Sequence, residues 1–106
     1  MIVTTLAITV APDKANDAMH VILPTVRRSR TESGCLCCDV YRCDEHATKL
    51  VLVERWRSLA EVERHIQSER YRRVLAWMEM SIEPPEVRFD TVSESRGLEL
   101  IEALRG

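Results

Sequence analysis

The chain has 106 residues, 45% of them hydrophobic and 30% charged. That make-up belongs to one globular domain with a single core and an unfavourable ratio of surface to volume. Its formal charge of −2 offers no general attraction to nucleic acid or to an anionic membrane, and no run approaches the roughly eighteen apolar residues of a membrane span. Residues 1–10 lack the basic start and small-residue cleavage site of a secretory signal. The expected location is therefore the cytoplasm, where Cys35, Cys37, Cys38 and Cys43 stay as reduced thiols. Basic charge is nearly all arginine, thirteen residues against two lysines, and arginine is the better partner for buried or interfacial carboxylates.

Residues 2–10 are β-branched and apolar and end at Pro12-Asp13, which predicts a first strand. Residues 14–31 predict a helix, with Ala15, Ala18, Met19, Ile22 and Val26 on one face. Pro24 is expected to kink that helix, Arg27, Arg28 and Arg30 suit its negative end, and Gly34 is placed to terminate it. Residues 35–43 and 49–57 predict two strands joined through Asp44-Glu45-His46-Ala47 as a hairpin. Ser58 followed by Glu61 is a capping box, so a helix starts there and is expected to carry Leu59, Val62 and Ile66 inward. Ser68 is read as the cap of another short helix, with Tyr71, Val74, Leu75 and Met78 on one stripe, and Pro84-Pro85 stops it. Residues 87–92 alternate as a fourth strand, and residues 97–105 form a short helix with Leu100, Ile101 and Leu104 on its apolar side.

The order is β-α-β-β-α-β, the ferredoxin-like α+β arrangement with an antiparallel sheet, followed by a short C-terminal helix. Residues 1–93 make the domain and 94–106 a helical tail. In such a fold the helices cover one sheet face only. Leu50-Val51-Leu52-Val53 is nevertheless apolar on both faces, and the first strand is nearly so. A second copy of the sheet is the expected cover, giving a homodimer. A helix as short as the last one is marginal in isolation and is expected to dock, on the partner subunit by this reading.

The only pairing with a plausible chemical role joins the end of the third strand to the following helix. Trp56 closes the strand, His65 follows nine residues later, and Glu54 shares a strand face with Trp56. Tyr71 and Tyr41 are further candidates for a pocket. Each has a plain packing role beside it: His65 as a core histidine bonded to a carbonyl, Trp56 as a strand-end filler, Glu54 as an arginine partner. The cysteines invite a metal reading. In a regular strand, however, Cys35, Cys37 and Cys43 point one way and Cys38 the other, a row of thiols and not a converging site; buried small hydrophobes are the expectation.

The run from Gly34-Cys35 through Tyr41, Val53-Glu54-Arg55-Trp56, His65, Tyr71 and Glu83-Pro84-Pro85 resembles the antibiotic biosynthesis monooxygenase family over about residues 1–93. The resemblance implies a dimeric α+β barrel and oxygenation of a small aromatic, quinol or polyketide-like compound by dioxygen, with no metal or other cofactor. It implies a substrate pocket between sheet and helices, with His65 as base or anion stabiliser and Trp56 shaping the wall. Heme-degrading relatives share the tryptophan–histidine spacing but carry an asparagine on the first strand. This chain has Leu6 or a neighbouring threonine there, and its one asparagine is Asn16. The competing class is a non-catalytic dimer that binds a small hydrophobic molecule, as a stress or accessory protein; heme binding through His65 is a further alternative. RNA recognition motifs share the element order but stack bases on aromatics of the central strands. The third strand has none before Trp56, so nucleic acid is not an expected partner.

Overall fold

The computed structural model describes residues 1–106, and its elements follow the order read above. The strands are β1 (Ile2–Thr9), β2 (Cys35–Arg42), β3 (Lys49–Trp56) and β4 (Glu86–Thr91); the helices are α1 (Ala15–Ser29), α2 (Leu59–Gln67), α3 (Tyr71–Met78) and α4 (Leu98–Arg105). The sheet runs β2-β3-β1-β4 with every neighbour antiparallel, which is the ferredoxin-like order. Pro24 lies within α1. No helix is long and apolar enough to cross a membrane.

Residues paired across the strands share a face, and this register builds the interior in rows. Val40, Leu52, Leu6 and Val87 form one row, Cys38, Glu54, Thr4 and Phe89 the next, and Cys35, Trp56, Ile2 and Thr91 the last. Leu52 and Leu6 of the first row belong to the main core, where Leu6, Ile8, Leu50 and Leu52 of the sheet meet Ala18, Ile22 and Val26 of α1 and Val74 and Trp77 of α3. The last row feeds a smaller cluster of Ile2, Trp56 and Val62. The polar row of Cys38, Glu54 and Thr4 therefore lies at the join between two apolar clusters.

Several local expectations are corrected. α1 ends at Ser29, before Gly34. Gly34 instead turns the chain into β2 at a φ of 85°, a left-handed conformation that favours glycine. Ser68 closes α2: its hydroxyl donates to the His65 carbonyl at 2.6 Å, and α3 starts at Tyr71 with no side-chain cap. On α2, Leu59 and Ile66 face outward while Glu61, Val62 and His65 are buried. Polar anchors orient this helix, since Glu61 is gripped by Arg57 and Ser58 and His65 by two carboxylates described below. Leu75 is also exposed, and Trp77 takes the buried place on α3. Val87 and Phe89 share the helix-side face of the sheet yet stay nearly half exposed, because α1 and α3 pack over the other strands. A bulge between Cys35 and Cys37 shifts the register of β2. It places Cys35 on the same face as Cys38, with Cys37 opposite, because one extra residue inverts the alternation.

Candidate functional site

Glu54 is a charged residue in the middle of a buried row, and such a group persists only if its oxygens are fully engaged. Its Oε1 accepts from the Thr4 hydroxyl at 2.8 Å and from the Trp56 indole Nε1 at 3.2 Å. Its Oε2 lies 3.3 Å from His65 Nε2 and 3.8 Å from the Cys38 thiol. Thr4 and Cys38 reach it because the register puts them directly opposite on both sides. Trp56 reaches it because residues two apart on a strand share a face.

His65 is 2% exposed and lies between two carboxylates. Its Nδ1 makes a 2.7 Å hydrogen bond with Glu32 Oε2, while Nε2 faces Glu54 at ion-pair distance but outside hydrogen-bonding geometry. The ring packs against Trp56 at a centroid distance of 4.6 Å and meets the edge of Tyr71 at 5.2 Å. Burial lowers the imidazolium's pKa, but Glu54 and Glu32 outweigh it and hold the value above the ordinary 6.5. For Glu54 burial raises the pKa, and the opposing contacts from His65, Thr4 and Trp56 hold it below 4.5. Both shifts favour the charged form of the His65–Glu54 pair over the neutral one. Burial, with the Glu54 charge, pushes the Tyr71 hydroxyl up to about 12 and the Cys35 thiol up to about 11. Cys38 is raised further still, by burial and then by Glu54. These groups stay neutral, and their thiols are poor nucleophiles.

Of the five residues singled out in the sequence, the fold brings Glu54, Trp56, His65 and Tyr71 together. Tyr41 is on the opposite face of the sheet, paired with Val51 and 56% exposed. The space between sheet and helices at this end is filled by Trp56, His65 and Val62. Of the ring nitrogens of His65, Nδ1 is hydrogen-bonded to Glu32 and Nε2 is buried against Glu54.

Sequence reasoning missed Thr4, Cys38 and Glu32. The first two follow from strand register, which for Cys38 is disguised by the bulge in β2. Glu32 sits in the polar turn Thr31-Glu32-Ser33-Gly34, where spacing gives no signal of a long-range contact. Glu32 also reaches toward the surface, its side chain 17% exposed. Its other oxygen, Oε1, lies 3.6 Å from Arg70. It contributes to a cleft of ≈ 290 Å³ shared with Ser33, Glu61, Arg64, Ser68 and Arg70. A second, more open and partly apolar cleft of ≈ 570 Å³ lies apart, along Leu75, Met78, Ile82, Pro84 and Pro85.

The family model described as antibiotic biosynthesis monooxygenase matches residues 1–77. Among curated proteins none matches. Among solved structures, an antibiotic biosynthesis monooxygenase is 18% identical with a TM-score of 0.78, the match covering 89% of this chain and all of that one. Rv0793 from Mycobacterium tuberculosis is 22% identical with a TM-score of 0.79, covering 91% of this chain and 98% of the other. PA3566 from Pseudomonas aeruginosa is 25% identical with a TM-score of 0.75, covering 88% and 94%.

Proposed function

The chain belongs to the antibiotic biosynthesis monooxygenase family, and on that premise we propose that it oxygenates a small phenolic, quinol or polyketide-like compound with dioxygen. The substrate anion itself is the reductant in this reading. A ring methylene becomes a carbonyl, the substrate supplies all four electrons, and the second oxygen atom leaves as water. Such a reaction asks the protein to take a proton from the substrate and to return one to the departing oxygen. The observation that carries the reading is the Glu32–His65–Glu54 array, a titratable group held between two carboxylates beside Trp56 and Tyr71. His65 is the acid–base group, Trp56 fixes its ring plane, and Glu54 stabilises its charge. The protein works in this reading as a homodimer in the cytoplasm.

The completeness of packing around Trp56 and His65, 0% and 2% exposed, favours a second reading: a binding protein in which these residues are structural. Oxygen uptake by purified protein against quinols, anthrones and related phenols separates the two. Turnover that is lost in a folded His65→Gln variant supports the oxygenase. If no compound in the panel is turned over, yet panel members raise the melting temperature, the binding reading replaces it.

A further inference from the structure

His65 is only 2% exposed, too deeply buried to meet a substrate directly, so its proton must travel through a neighbour. The groups around it differ in what they can do. Glu54 on β3 is buried and already accepts from Thr4 and Trp56. Cys35 and Cys38 on β2 and Tyr71 on α3 are held neutral. Only Glu32, in the turn before β2, touches the ring on one side and the cleft on the other: Oε2 is 2.7 Å from Nδ1, Oε1 faces Arg70, and its side chain is 17% exposed.

The cleft over Glu32 has a chemistry of its own. No apolar side chain lines it. Glu61 is spoken for by Arg57, at 3.0 and 2.8 Å, whereas Arg64 has no carboxylate within ion-pair distance. The hydroxyl groups of Ser33 and Ser68 complete the lining. An uncommitted guanidinium beside a carboxylate suits a weakly acidic hydroxyl group, which gives up its proton to the carboxylate and leaves an anion for the arginine.

We propose that this cleft docks the phenolic or enolic hydroxyl of a small ligand, and that Glu32 is the conduit through which His65 exchanges protons with it. The inference rests on the oxygenase reading for its place in a reaction. The balance is simple. The imidazolium first releases one proton through Glu32 to water. The ligand O–H bond then breaks, its electron pair stays on oxygen opposite Arg64 and Arg70, and the proton moves to Glu32 and on to His65. The regenerated imidazolium returns that proton by the same route.

The test uses Glu32→Gln, which keeps the size and one acceptor oxygen but removes the charge and the ability to carry a proton. The ring N–H exchange and the titration of His65 are followed by NMR without any ligand, with Glu63→Gln, an exposed carboxylate of the same helix, as control. The expected result is a midpoint lowered by about one pH unit and slower exchange of the ring proton with water in Glu32→Gln, with neither change in the control. A lowered midpoint with unchanged exchange overturns the conduit, because Glu32 is then only a charge; an unchanged midpoint overturns it as well. For the cleft, 4-nitrophenol is the probe. Wild-type protein is expected to bind it with a shift toward the coloured anion, and Arg64→Gln to weaken binding several-fold; equal binding by both, or none by the wild type, overturns the docking site. These readouts need no turnover. If they hold while no panel compound consumes oxygen, the oxygenase reading fails alone; if they fail while turnover persists, the inference fails alone.

Discussion

Glu54 distributes four contacts over two oxygens, and the two oxygens are unequal. Oε1 satisfies two buried donors, Thr4 and Trp56, while Oε2 supplies charge to His65. Removing the whole group strands both donors and leaves the imidazolium with Glu32 as its one close counter-charge. Breaking a buried pair in this way costs about 3–5 kcal/mol. Glu54→Ala is therefore expected to lose stability on that scale in urea denaturation. Glu54→Gln should lose much less, because an amide oxygen still accepts from Thr4 and Trp56. Equal losses for the two variants would show that the carboxylate charge, which both remove, and not hydrogen bonding to Thr4 and Trp56 holds the row together. The same comparison places Trp56: its indole N–H is tied to Glu54, so the ring cannot swing away from His65 without leaving a buried donor unpaired.

At the scale of the elements, the two faces of the sheet set different problems. The helix-packed face is filled, but the opposite face holds Val3, Val51 and Val53 with Tyr41 56% exposed. A second copy of that face is the proposed cover. The wild type should then sediment as a dimer, and Val51→Lys should yield a monomer that keeps its secondary structure by circular dichroism. A monomeric wild type would end the proposal. The apolar doubling of Leu50-Val51-Leu52-Val53 was legible in the sequence because alternation is a property of neighbours along the chain. The element order was legible for the same reason, through the Ser58–Glu61 cap and the helical spacing of Ala18, Ile22 and Val26, although α3 ends at Met78, before the Pro84-Pro85 stop. The capping box even forms in a tightened version, with the Ser58 hydroxyl both accepting from the Glu61 N–H and donating to its carboxylate. What stayed hidden depends on contacts distant in sequence. The outward turn of Leu59 and Ile66 follows from anchors on Arg57, Glu32 and Glu54, and the placing of Cys35 follows from a bulge. Glu32 meets His65 across a separation of thirty-three positions, which no local pattern encodes. Glu54, Trp56, His65 and Tyr71 were found because strand and helix periodicity point all four inward.

For the molecule as a whole, the buried triad makes folding stability depend on pH in a definite sense. Glu54 titrates below its ordinary 4.5 when folded, so its contribution is complete above pH 4.5 and is lost as pH falls through the lowered value. His65 titrates above its ordinary 6.5 when folded, so its contribution is complete below pH 6.5 and is lost as pH rises through the raised value. Both are in full force only between pH 4.5 and 6.5. The net charge of −2 is too small for general self-repulsion to mask this. Cys35 and Tyr71, raised to about 11 and 12 from 9.0 and 10.0, weaken the fold only as pH passes the ordinary thiol and phenol values, so a loss between pH 6.5 and 9 belongs to His65. Urea midpoints measured across this range should be highest in the window and fall on its alkaline side. The alkaline fall should disappear in His65→Gln, where the titrating group is gone. A wild-type profile that is level from pH 5 to 9 would mean that the folded and unfolded states bind the same number of protons over this range, and that Glu32 and Glu54 do not raise the pKa of His65 in the fold.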